Sequence, residues 1–167
     1  MEDFGRFIVQ YLHVLSGLMW LGGGFYTIFV QSPALMAVAP PARGATLALL
    51  APKQVTYLLR LGEFTILSGA LRAVVSGRAN ELSSLDTRWE IAILIGIVLA
   101  LALLGIGHAI LKPGVTRMLT LGPKAAQGDQ AAAAEAEALV NRFKNLGYVQ
   151  LGLGTVIVLM MVLARFS

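Results

Sequence analysis

Residues 91–111 contain no Asp, Glu, Lys or Arg and are apolar almost throughout, between Glu90 and Lys112. A bilayer core is spanned by about 20 such residues in a helix. Two further stretches behave alike: residues 7–30, in the charge-free gap from Arg6 to Arg43, and residues 146–164, between Lys144 and Arg165. A fourth, 54–75, carries Arg60, Glu63 and Arg72, but its Tyr57, Leu58, Leu59, Phe64, Ile66 and Leu67 would otherwise face water. Four spans with short connections predict an all-α polytopic membrane protein, an up-down-up-down four-helix bundle forming one transmembrane domain over residues 1–167.

Composition agrees. Hydrophobic residues make up 57% and charged residues 13%, against roughly 45–50% and about 25% in soluble domains. Mean hydropathy of +0.75 excludes a disordered chain. The absence of cysteine excludes disulfides, thiolate metal sites and iron–sulfur clusters. The net charge of +4 is too small for a nucleic-acid footprint, so the basic residues are read as topology markers. Arg6, Arg72, Arg78, Arg88 and Arg165 flank one side. Arg43, Lys53, Lys112, Arg117, Lys124, Arg142 and Lys144 flank the other. The excess predicts both termini outside and segment 112–144 in the cytoplasm.

The N-terminus opens on acidic residues, and its apolar stretch is too long for a secretory signal, so it reads as a retained span. Four prolines predict a turn-rich loop over 32–53, with one short interfacial helix near 45–50. Residues 76–90 read as a polar hairpin loop. Asp129 can cap a helix from Gln130 that continues into the last span. No internal repeat is evident.

Ionisable residues inside spans are costly and tend to be functional. In the first span, Gln10, His13, Gly17, Trp20, Gly24, Thr27 and Gln31 share one helical face. A histidine above a glycine floor suits haem ligation, with imidazole on iron and the missing side chains making room for the macrocycle. The same pattern suits a helix-packing seam. Arg60 and Glu63, three apart, can pair within the second span. His108 stands near the end of the third span. Placed by helical rise, it lies roughly 18 Å from His13 along the membrane normal, too far to share one iron. Arg72 lies at the same membrane face as His13, as an interfacial anchor or a partner for haem propionates. No phosphate-binding glycine loop, nucleophile with a paired base, or methionine cluster for copper is present.

The stretch Tyr11-Leu-His13-Val-Leu-Ser-Gly17-Leu-Met-Trp20-Leu-Gly22-Gly23 resembles the opening helix of a loose group of small bacterial membrane proteins. The group includes the copper-resistance D family and the HemJ-type protoporphyrinogen oxidases. The segment 141–154 is similar to the group's last helix. The resemblance covers about a quarter of the chain and implies a four-helix membrane domain with an inward histidine directed at b-type haem. HemJ-type enzymes carry a lysine near the start of the third span; Trp89-Glu90-Ile91-Ala92-Ile93 has none. The leading expectation is a b-type haem protein with an electron-transfer or redox role. A non-catalytic subunit of a larger membrane complex or a homo-oligomer, and a copper-handling protein using His13 and His108, are the alternatives.

Overall fold

The computed structural model describes residues 2–80 and 85–166; Ser83 and the middle of the loop expected over 76–90 lie outside them. The chain folds as α1 (Glu2–Tyr26), a π turn (Thr27–Gln31), α2 (Ser32–Met36), α3 (Pro40–Val75), α4 (Arg88–Ile106), a second π turn (Gly107–Leu111), α5 (Lys112–Ala126) and α6 (Gln130–Arg165). Three continuous helical stretches, Asp3–Met36, Arg88–Ala126 and Gln130–Arg165, are long and apolar enough to cross a membrane. Large apolar side chains point outward on all sides, Leu18, Leu67 and Val74 among them at 65–68% exposure. In water that surface would aggregate; in a bilayer it is the lipid-facing coat of a membrane protein.

The expected loop over 32–53 is helix instead, apart from a break at 37–39. α3 starts at Pro40 and runs through Pro52 to Val75. The prolines act locally. Pro33 and Pro113 each sit one residue past a π turn, where a proline ring would collide with the carbonyl four residues back. The helix widens to accommodate it: the Ser32 N–H donates to the Thr27 carbonyl, and the Lys112 N–H to the Gly107 carbonyl, both five residues back. α6 starts at Gln130, where the Asp129 carboxylate accepts the Ala132 N–H at 3.0 Å. Thr87 and Glu90 form a capping box at the start of α4.

The described structure contains a repeat that the sequence reading missed. Each half is a helix, a five-residue π turn, a short helix with proline in second place, a break, and a 36-residue helix. The short helix has 5 residues in the first half and 15 in the second, and the register shifts by that difference. Pro33 and Pro113 are 80 apart; Leu61-Gly62-x-x-Thr65 and Leu151-Gly152-x-x-Thr155 are 90 apart. The echo is short because most positions on each helix need only be apolar.

Contacts between small and large residues give the packing. Gly23 meets Leu58 and Gly62 meets Trp20, so α1 and α3 run antiparallel. Gly96 meets Met161 and Gly114 meets Phe143, so α4–α5 and α6 do likewise. Trp20, Leu103 and Ile157 meet at the centre, one each from α1, α4 and α6, with Leu58 and Leu61 of α3 against them.

Candidate functional site

The first-span face points at α3 as its spacing requires. None of Gln10, His13, Gly17, Trp20, Gly24, Thr27 and Gln31 is exposed, and Trp20 is buried. What occupies the glycine floor is α3 itself. A methyl placed on Gly17 would meet the Thr65 Cγ2 at 3.5 Å, and the Trp20 indole lies on Gly62. The expected room for a macrocycle over Gly17 and Trp20 is therefore filled. Gly24 has open space beside it, but eleven residues from His13 is about 16 Å of helix. At the far end, Gln54 donates to Thr27 Oγ1 at 2.6 Å and exchanges 2.7 Å amide bonds with Gln31.

His13 itself is well defined. Its Nδ1 lies 2.9 Å from the Thr65 carbonyl oxygen, and the ring rests on Gly69, where a methyl would stand 2.7 Å from Cε1. A carbonyl can only accept, so Nδ1 carries the proton and Nε2 keeps its lone pair. The Ser68 hydroxyl, 3.5 Å from Nδ1, donates to the Phe64 and Thr65 carbonyls at 2.7 and 3.0 Å. Nε2 has no partner among the described residues, and none of their buried side-chain nitrogens or oxygens lacks one. Nε2 is therefore not wholly enclosed by the seam. This is the tautomer of a metal-ligating histidine whose other nitrogen is fixed by a carbonyl. The acceptor is a backbone atom of another helix, which no side-chain pattern reveals.

One turn from His13, the start of α1 and the end of α3 enclose a cleft of about 370 Å³ that includes Gln10, Arg72, Arg6, Asp3 and Phe7. Arg72 is half-buried there.

A second cluster sits on another face of α3. Arg60 Nη1 donates to Glu63 Oε2 at 2.7 Å, and His108 Nε2 lies 3.0 Å from Glu63 Oε1. The ionised carboxylate only accepts, so His108 Nε2 carries its proton. The two neutral histidines thus hold opposite tautomers: Nε2 of His108 is committed to Glu63, and its lone pair is on Nδ1. His13 and His108 dock on α3 at Thr65 and Glu63, two residues apart. That is about 3 Å of rise but about 200° of rotation. The body of α3 therefore lies between the two histidines. Among the described residues no three His, Asp or Glu side chains converge on a metal position.

Outside the charge-free segments 91–111 and 146–164, Arg117 grips Glu135 through two 2.7 Å bonds, Nε to Oε1 and Nη2 to Oε2, tying α5 to α6. That hydrogen-bonded pairing holds the Glu135 carboxyl below its ordinary range and the Arg117 guanidinium above its own.

No family model matches this chain, and no curated protein and no solved structure matches it.

Proposed function

We propose that the chain is a four-span, up-down-up-down protein of a bacterial inner membrane, with both termini outside, that binds b-type haem through His13. The observation carrying this reading is the His13 Nδ1–H bond to the Thr65 carbonyl, which leaves Nε2 unprotonated and uncommitted. The residues fit the group in part. The donor and its orienting acceptor are in place; the glycine floor is closed, so a macrocycle belongs on the open side of the imidazole and not between α1 and α3. Haem, when bound, supplies one-electron chemistry. His13 binds it, Thr65 holds the ring orientation, and Gly69 lets the imidazole lie flat on α3.

Detergent-purified protein loaded with haemin should show a Soret band that shifts on dithionite. His13→Ala should remove it, and His108→Ala should leave it nearly unchanged. An unaltered spectrum in the His13 variant overturns the reading.

The closed α1/α3 seam favours a second reading, a colourless non-catalytic subunit whose glycines serve packing alone. A protein that takes up no haem and copurifies with other membrane subunits supports it.

A further inference from the structure

The cleft between the start of α1 and the end of α3 holds charge that the fold does not balance. Arg72 and Arg6 both line it, and neither makes an ion pair or hydrogen bond with another described residue. Asp3 is the one carboxylate in the lining, and it pairs with neither. Arg78 is near enough to Arg72 to repel it, and itself stacks on Trp89 with its guanidinium carbon 4.8 Å from the ring centroid. Two guanidiniums lining one cleft, one of them half-buried, favour an anion between them.

The walls set the kind of anion. Phe7 and Val75 give an apolar side, while the Gln10 amide and Ser76 add polar groups. The volume, about 370 Å³, lies in the range of small-molecule sites. On the four-span topology proposed above, the cleft falls at the shared end of spans 7–30 and 54–75, at headgroup depth. A free anion would use the arginines but not the apolar wall.

We propose that this cleft binds the anionic head of a membrane amphiphile, a phosphate or carboxylate held by Arg72 and Arg6 with its apolar body against Phe7 and Val75. Two molecules offer that chemistry: an anionic phospholipid and the propionates of haem. The haem source rests on the reading of His13 above; the phospholipid source does not.

The test uses the full-length protein in neutral detergent. Phosphatidylglycerol, phosphatidylcholine and inorganic phosphate are titrated and read by native mass spectrometry and thermal midpoint. Haemin and haemin dimethyl ester are titrated and read by the Soret band. Each charged hydrogen bond lost should weaken binding about tenfold or more. Phosphatidylglycerol should bind, phosphatidylcholine and phosphate should not, and Arg6→Gln with Arg72→Gln should abolish the difference. Arg72→Lys should restore part of it, which separates lost charge from lost folding. If instead only haemin weakens in Arg72→Gln while its dimethyl ester does not, the occupant is a propionate. Equal binding of every probe to wild type and the double glutamine variant overturns the proposal. A Soret band that survives His13→Ala sinks the haem reading alone and leaves the phospholipid result standing.

Discussion

Two single substitutions on the α1/α3 seam, calibrated by a third at exposed Gly22, separate a packing surface from a cofactor slot. At Gly62, an added methyl would stand 2.7 and 2.8 Å from Cε2 and Cζ2 of Trp20. That indole is 8% exposed and wedged against Leu103 and Ile157, so it cannot swing away without disturbing α4 and α6. Overpacking of this kind costs about 1–3 kcal/mol. Replacing glycine by alanine within a helix returns about 0.8–1.0 kcal/mol. Gly62→Ala should therefore end between neutral and about 2 kcal/mol destabilised, from these two terms. At Gly17 the nearest atom is 3.5 Å away, an ordinary contact, so the helix gain stands alone and Gly17→Ala should stabilise by up to about 1 kcal/mol. Gly22, with nothing within 4 Å, calibrates that gain.

Unfolding of the detergent-solubilised protein by graded sodium dodecyl sulfate, followed by tryptophan fluorescence, reads all three. The expected order of stability is Gly17→Ala and Gly22→Ala together, above wild type, with Gly62→Ala lowest. Gly17→Ala falling as far as Gly62→Ala would refute the packing argument. A stabilised Gly17→Ala that also loses haem would show that the macrocycle lies on Gly17 after all, against the filled floor described above.

Glu63→Gln, which weakens the bonds from both Arg60 and His108, should lower the yield of folded protein more than Arg60→Met combined with Glu63→Leu; equal losses would mean that the charges do not depend on each other. The depressed Glu135 pKa contributes stability above the unfolded carboxylate range that disappears as pH falls through the folded value. The difference in thermal midpoint between wild type and Glu135→Gln should therefore be present at neutral pH and vanish in acid, and a constant difference across that range would contradict the pairing. Cysteine at Gln130 should be protected from an impermeant thiol reagent in intact cells while cysteine at Asn80 is labelled; the reverse pattern inverts the proposed orientation.

Helix-by-helix features were legible in the sequence because they depend on neighbours along one chain. The face from Gln10 to Gln31, the Asp129 cap and the spacing of Arg60 and Glu63 all follow from about 100° of turn per residue. What joins two helices was not legible. The Thr65 carbonyl that fixes His13 has no side-chain signature, and the bond from His108 to Glu63 needs the register of α3 against α4. Prolines 33, 52, 113 and 123 suggested breaks, but each is held within helix, two of them just after π turns that absorb the misfit.

The repeat explains why the chemistry gathers on one helix. Shifting by 90 residues, Arg60, Glu63, Ser68, Gly69 and Arg72 of α3 correspond to Gln150, Leu153, Val158, Leu159 and Val162 of α6. The two helices share a length and a place in their halves, yet α6 is apolar enough to cross a membrane alone and α3 is not among the helices that are. α3 therefore depends on its neighbours for what lipid cannot supply. α4 and its π turn bring His108 to Glu63, and α1 brings His13 to the Thr65 carbonyl. Arg72 alone of this set finds no partner within the described fold. The helix that gave up lipid compatibility did so at five positions of contrasting chemistry, and four of them are accounted for by contacts inside the protein. The fifth, Arg72, faces the cleft, which is where a molecule from outside the chain has to complete the set.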